Sequence, residues 1–315
     1  MPLYSRNRAL LFKIETTYGT SSAPTGAADG VDCTSLEIRP LNIETVEQPR
    51  IRPYFGANPQ LVAGRSVGLT VEWPMAGFGT AGPATPTAGY GALLRVCGLS
   101  QTINAGTSVV YAPVSTGFES GTAFVYQDGT LHTVLGCRGT LSASLSLRGI
   151  PVWRAELTGL YGGVTDTALV QPTLTAYQTP LPVAFGNTTL ANFLGSATGI
   201  CLNSLDLAFG NNVVYRNLVN CSQEVLLTNR EITGSFEIEA VTVAAKDIWT
   251  LITNATLSSI DITQGTAVGN RVRLNTAVAQ VSNPSFSETD GIVTISGDLR
   301  LVPTSANNEL TITIT

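Results

Sequence analysis

Apolar and polar residues alternate along this chain in many short runs, a period of two that marks strands with one face buried. Val67, Leu69, Val71 and Trp73 form one run, and Leu141, Leu145 and Leu147 another. Phe236 with Ile238, Ile292 to Ile295, and "LTITIT" at 310–315 continue the pattern. Thr, Val, Ile and Leu fill these runs because they fit a pleated, half-buried surface, while Gly, Asn, Asp or Pro separates them. Asp128-Gly129 is a tight-hairpin pair, since both positions tolerate positive φ, so strands over 123–126 and 130–135 are predicted to pair across it. Two segments carry helical spacing instead. Leu93, Leu94, Val96 and Cys97 form one stripe, stopped by Gly98; Ala244, Ile248, Leu251 and Ile252 form the other, ending near Asn254. Both are short, so packing against a sheet has to stabilise them.

The same order of elements occurs twice. A strand at 36–38, the run "RSVGLTVEW" at 65–73, the helical "ALLRVC" at 92–97 and the closing "GIPVWRAEL" at 149–157 have counterparts at 205–207, "REITGSFEI" at 230–238, "DIWTLI" at 247–252 and "GIVTISGDL" at 291–299. The offsets between partners are 169, 165, 155 and 142, as expected if the first copy carries extra loop residues between landmarks. Arg65 matches Arg230, Glu72 matches Glu237, and both closing strands begin Gly-Ile. The predicted organisation is an N-terminal extended arm over 1–29, a first β module over 30–163, a linker or strap over 164–182 containing Pro172, Pro180 and Pro182, and a second β module over 183–315. Each module carries one short flanking helix. An irregular stretch rich in Gly, Ala, Pro and Thr, 74–91, coincides with the ten-residue insertion of the first copy.

At 315 residues the chain is long enough for two domains with separate cores. Hydrophobic residues make up 43% and charged residues 12%, about half the usual charged share. A surface so poor in charge is expected to be covered by something. No apolar run reaches a membrane span, and "MPLYSRNRALLFKIETTYGT" has too short an apolar core for a signal peptide, so protein is the expected cover. The net charge of −5, with only the pairs Arg6/Arg8 and Arg50/Arg52 close together, supplies no cationic face for binding nucleic acid. Five cysteines without CxxC spacing fit a reduced cytosol, and with a single histidine they leave no metal site to expect.

Candidate chemistry fails on context. "GFGTAG" at 77–82 has the dinucleotide spacing, but Pro83 and Pro86 follow where a helix must open. His132 sits in a strand just after a hairpin turn, and no GxSxG elbow accompanies it. Glu237 and Glu239 share a strand face, yet nothing marks the apolar cleft that would make one of them a general acid. The sequons at Asn187 and Asn254 signify nothing without secretion. No enzyme and no cofactor are expected.

Beyond generic β pattern, "LFKIETTYGTSSAPTGAAD" at 11–29 and "RPYFGANPQLVAG" at 52–64 resemble the tail tube (major tail) proteins of long-tailed, non-contractile bacteriophages. The resemblance continues in "YAPVSTGFESGTAFVYQDGTLHTVLGCRGTLSASL" at 111–145, "IPVWRAELTGLYG" at 150–162, "VVYRNLV" at 213–219 and the C-terminal "SNPSFSETDGIV…LTIT". It covers nearly the whole chain, and its motifs are structural. It implies a mainly β fold of two tandem tail-tube-like β-sandwich or barrel modules. It further implies polymerisation into stacked rings that form the channel for DNA ejection, in a virion tail assembled in the host bacterial cytoplasm. Other copies of the chain, the tape measure, tail terminator and distal tail proteins, and duplex DNA in transient passage are the implied partners, with no membrane. No sheath-binding feature is recognisable, so the non-contractile character rests on the resemblance alone.

By position, the connection 45–64 (Thr45, Arg50, Arg52, Tyr54) and its counterpart from Arg216 to Asn229 are the implied inter-subunit loops, and 2–25 the implied arm. A chain with two modules is expected to close the family's sixfold ring as a trimer with pseudo-sixfold symmetry, the alternative being a hexamer. A lumen that lets DNA slide calls for acidic and small polar side chains. Glu72, Glu156, Glu237, Glu239 and Asp298 are the candidates, with Arg154 and Arg300 as local partners. A shift of one residue in register turns the same side chains outward, so both faces stay open. The other function class is a virion-surface decoration or carbohydrate-binding adhesive β-sandwich. Clustered exposed aromatics or calcium ligands would mark it, whereas Trp73, Trp153 and Trp249 lie in different elements.

Overall fold

A computed structural model describes residues 3–83, 86, 88–196 and 199–315. Met1 and Pro2 of the expected arm, and Ala84, Thr85 and Thr87 of the 74–91 stretch, lie outside the described residues. The first half of the chain contributes β1 (Arg8–Ile14), β2 (Gly30–Val31), β3 (Ser35–Glu47), β4 (Gln60–Pro74), α1 (Ala88–Val96), β5 (Leu99–Asn104), β6 (Ser108–Pro113), β7 (Gly121–Gln127), β8 (Thr130–Ser146) and β9 (Val152–Asp166). The second contributes β10 (Thr188–Phe193), β11 (Leu202–Ala208), β12 (Asn212–Arg216), β13 (Glu224–Asn229), β14 (Thr233–Glu239), α2 (Ile248–Thr253), β15 (Ser258–Gln264), β16 (Val272–Thr289), β17 (Ile292–Leu301) and β18 (Thr311–Ile314). The fold is mainly β and antiparallel, as the alternation predicts.

Local chemistry accounts for the element ends. β7 and β8 form the hairpin expected at Asp128-Gly129, with φ of 42° and 91° and Gln127 opposite Thr130. α1 ends before Gly98, which takes φ 81°. α2 starts on Asp247, whose carboxylate accepts from the Thr250 N–H at 2.9 Å. Ala244 precedes that cap and stays outside the helix.

Eight strands run side by side in the order β3–β4–β9–β8–β11–β14–β17–β16, every pair antiparallel. The first four belong to the first half of the chain and the last four to the second. Their junction is β8 with β11, from Ser146 opposite Ser204 to Ser142 opposite Ala208. Because β9 lines one edge of β8, β7 and β11 share the other edge, β7 along residues 130–137 and β11 beyond it. A second junction pairs β18 with β6.

These junctions change the expected core. Length permits two cores, but the two halves share one continuous buried cluster reaching from Leu10 to Ile314, since a sheet that crosses both halves has one apolar face. Trp73 and Trp153 face each other across β4 and β9 within it, and Phe193 meets Phe236 edge to face at 5.4 Å. The expected arm is also partly core. Leu10, Leu11 and Phe12 are buried in β1, which pairs with β7 along its length, because "ALLF" is apolar on both faces of the strand. The segment 167–182 lies as a strap: Thr173 N–H bonds the Gly26 carbonyl, Tyr177 bonds that of Gly30, and the Leu181 carbonyl accepts from Gln264.

Glu15 fixes the turn that follows β1. Its buried carboxylate accepts from the Gly19 and Gly136 N–H groups, at 2.9 and 2.8 Å, and from the Ser120 and Thr122 hydroxyls, at 2.7 and 2.9 Å. Removing it orphans several buried donors at once. Glu15→Ala is expected to lower unfolding stability by about 3 kcal/mol, measured by urea denaturation; a loss within error would show that water replaces the carboxylate.

Candidate functional site

One face of the eight-stranded sheet covers the core and the other meets solvent. On β4, Val67, Leu69, Val71 and Trp73 point inward, which turns Gly68, Thr70 and Glu72 outward. The same alternation turns out Arg154, Glu156 and Thr158 on β9, and Thr140, Ser142 and Ser144 on β8. It turns out Ser204 and Asp206 on β11, Ser235, Glu237 and Glu239 on β14, and Ser296, Asp298 and Arg300 on β17. All five acidic residues singled out from the sequence therefore stand on a single face. Register extends them into rows. One crosses Glu72, Arg154, Ser142, Ala208, Thr233 and Arg300; the next crosses Val152, Ser144, Asp206, Ser235, Asp298 and Ser282.

The face is acidic, and two of its three cations, Arg154 and Arg300, are already engaged. Arg154 lies between two carboxylates, 3.4 Å from Glu72 and 3.1 Å from Glu156. Arg300 pairs with Glu231. Glu237 accepts from the Thr294 hydroxyl at 2.8 Å, and Asp298 from the Asn283 amide at 2.8 Å. Glu37, Glu72, Glu156, Asp206, Glu237, Glu239 and Asp298 supply seven negative charges against three from Arg39, Arg154 and Arg300. Asp206 and Glu37 were not among the candidates taken from the sequence. Asp206 is the carboxylate nearest the β8–β11 junction, and its place between the buried Leu205 and Leu207 was the signal that would have found it. The exposed-side thiol of Cys201 is raised by burial and by the neighbouring Glu239 carboxylate, which keeps it protonated.

The two long connections differ in kind. β3 and β4 extend as a hairpin whose distal part, holding Thr45, Arg50, Arg52 and Tyr54, is exposed apart from the half-buried Gln48, Arg52 and Asn58 and the buried Gly64. Its tip presents Ile51, Tyr54 and Phe55 to solvent, with the Arg52 guanidinium 5.8 Å from the Tyr54 ring. The counterpart from Arg216 to Asn229 lies in a separate two-stranded hairpin, β12 with β13, whose β13 folds back on the first half of its own chain while the turn 216–223 stays exposed. Arg138 donates to the Val225 carbonyl at 2.7 Å and stacks 4.8 Å from the Tyr18 ring, while the Tyr18 hydroxyl accepts from the Val225 N–H at 2.6 Å. Burial, the largest cause, pushes the Tyr18 phenol up to about 12. Asn211 bonds the Cys97 and Gly139 carbonyls, and Val225 and Leu227 are buried.

Among the described residues no cluster of His, Cys, Asp or Glu could hold a metal ion. His132 pairs between β7 and β9 with a lowered pKa caused by desolvation, away from the acidic face. No helix of the described residues is long and apolar enough to cross a membrane. A family model described as phage tail tube protein matches residues 5–307. A search of curated proteins returned no match.

The contrast between the hairpins has a proteolytic consequence. Trypsin is expected to cut the dispersed chain first at Arg50–Ile51 in the exposed tip, since Pro53 protects Arg52 and the exposed turn after Arg216 is tied down by the Asn217 amide on the Ala63 carbonyl and by buried Val225. Mass analysis of the first fragments checks this; initial cleavage at Arg216 would show that the docked hairpin is the looser one.

Proposed function

The chain belongs to the phage tail tube protein family, and we propose that three copies close into a ring whose stacked repeats form the bore for DNA ejection. The observation that carries this reading is the acidic, Ser/Thr-rich open face of the eight-stranded sheet. Lining a channel with fixed negative charge and short hydroxyl side chains repels phosphate weakly and offers the duplex no cation to hold it. The three guanidiniums on the face do not reverse this: Arg154 and Arg300 are spent on carboxylates, which leaves Arg39 against an excess of acidic groups.

The count of three rests on internal duplication of a module, 30–163 and 183–315, joined by the strap at 164–182. Register supports it. Ser35 opposite Glu72 corresponds to Ser204 opposite Glu237, and Glu72 opposite Arg154 corresponds to Glu237 opposite Ser296, at the offsets 169, 165 and 142 found in the sequence. Each half thus supplies four strands in equivalent order, and three chains supply three times eight, or 24, strands. With strands about 4.8 Å apart and tilted about 40°, each occupies roughly 6 Å of circumference, so 24 strands enclose a backbone diameter near ~48 Å. Side chains reduce the bore to about 40 Å, room for a hydrated duplex, whereas six chains would double the diameter. The ring belongs to the long non-contractile tail of a siphovirus. It is assembled in the host cytoplasm around a tape measure protein, between a terminator and a distal tail protein.

Purified protein is expected to form tubes with a central hole, and native mass measurement of one ring to give three chains. In phage carrying Glu237→Lys with Glu239→Lys, tubes should form while DNA ejection slows on the order of tenfold as the bore gains cations. Unchanged ejection from intact tubes would sink the assignment of this face to the lumen, and dispersed monomers that bind glycans would replace the tube with an adhesive role.

A further inference from the structure

Both ends of the eight-stranded sheet are open. β3 pairs with β4 alone, and the last part of β16, beyond its irregularity at Ser282/Ser285, pairs with β17 alone. Unpaired edges of this kind are templates for another strand. Here the chain itself contains a filled copy of the same edge. β8 holds β7 along its first part and β11 along its last; β16 holds β15 along its first part and, among the described residues, no strand along its last. The pair Ser142 opposite Arg154 corresponds to Ser285 opposite Ser296, which maps β8 onto β16 at an offset of 143. The offset of 169 maps β3 onto β11.

We propose that the joint between chains repeats the joint within each chain: the end of β16 takes on β3 of a second copy, antiparallel, with Glu37 opposite Ser287, Ile38 opposite Phe286 and Arg39 opposite Ser285. These pairs are the images of Asp206 with Ser144, Leu207 with Ala143, and Ala208 with Ser142. The proposal rests on the ring reading above and adds its register. Side-chain chemistry agrees with it on both faces. Phe286 is 60% exposed and packs only partly covered against Trp249, itself 39% exposed, 5.7 Å away. Ile38, already packed against the core, would complete that apolar row as Leu207 does inside the chain. On the other face Glu37 would join Ser287 and Thr294, whose hydroxyls bond each other at 2.6 Å, so the acidic lining continues unbroken across the joint. Arg8 donates to the Leu36 carbonyl at 2.7 Å, one residue outside the three new pairs.

Directly opposed residues on neighbouring strands bring their Cβ atoms close enough for a disulfide, best at non-hydrogen-bonded pairs. In full-length chain with Cys201→Ser and Cys221→Ser, two variants test the register: Glu37→Cys with Ser287→Cys, and Ile38→Cys with Phe286→Cys. As adjacent pairs they cover both hydrogen-bonding classes. Oxidation of assembled tubes is expected to link chains in at least one variant, giving ladders on non-reducing gels that end at three chains. The slipped pair, Glu37→Cys with Ser285→Cys, should stay unlinked. Tubes visible by microscopy without cross-links in either variant, or with efficient linking of the slipped pair, overturn the register and leave the ring standing. A ladder reaching six overturns the count of three while supporting the joint. Failure of the unsubstituted chain to form rings overturns the ring reading itself.

Discussion

Backbone pairing at strand edges is the constraint on which the rest of this molecule depends. Each edge residue carries an N–H and a C=O that need partners, and a sheet left open exposes a row of them. Inside the chain the problem is met at β8 with β11, where five consecutive residue pairs turn two four-stranded units into one sheet. That junction is also what fuses the core. Ala143 and Leu145 continue directly into Leu205 and Leu207, so the apolar faces of the two halves meet without a seam. The same junction aligns the opposite face, bringing Ser144 and Asp206 into one row with Ser235 and Asp298. Packing and surface chemistry thus follow from one set of backbone hydrogen bonds.

Charge is used sparingly and where it has a task. With charged residues at 12% of the chain, seven carboxylates on one sheet face are a large share of the 22 acidic residues. Other charged groups are spent inside, among them Glu15, Arg138 and the Arg230–Glu309 pair. Glu15 is satisfied by four donors and holds the turn after β1, and Arg138 ties the docked hairpin to the first half through the Val225, Glu119 and Phe118 carbonyls. Both cost desolvation that only full hydrogen bonding offsets. The remaining outer surface is poor in charge and carries exposed apolar groups at Ile51, Phe55 and Phe286. In the proposed tube these are interface groups, which resolves a surface otherwise too apolar for a free chain.

Much of this architecture was legible in the sequence because alternation with period two is a local signal. Val67 to Trp73 is long enough to settle which side chains are buried, and Asp128-Gly129 names its own turn. What was not legible depends on contacts distant along the chain. The burial of Leu10 to Phe12 requires β7, more than a hundred residues away. The docking of the second hairpin requires Arg138 and Tyr18, which lie in segments that carry the family resemblance but give no sign of what they touch. Asp206 was hidden for a different reason: "LDLA" is too short to attract notice until β8 and β14 flank it.

On the proposed duplication, the two hairpins show what joining two modules in one chain would accomplish. The connection in the second half is held by buried Val225 and Leu227, and its partner surface is always present because it belongs to the same chain. Covalent linkage makes that contact intramolecular, so its effective concentration is fixed and it can afford a rigid, desolvated Arg138. The equivalent connection in the first half is held within the chain only near its base, where Asn217 donates to the Ala63 carbonyl, and its tip is exposed. It remains an exposed hairpin with an apolar tip, a state tolerable in a dispersed subunit only if the segment stays polar enough elsewhere, as Glu44, Glu47, Gln48 and Arg50 make it. In the proposed ring, one joint per chain is therefore preformed before assembly and one is left open for it. That arrangement would halve the number of bimolecular contacts a pseudo-sixfold ring must make, and each of them could then be weaker and reversible until closure pairs the last edge.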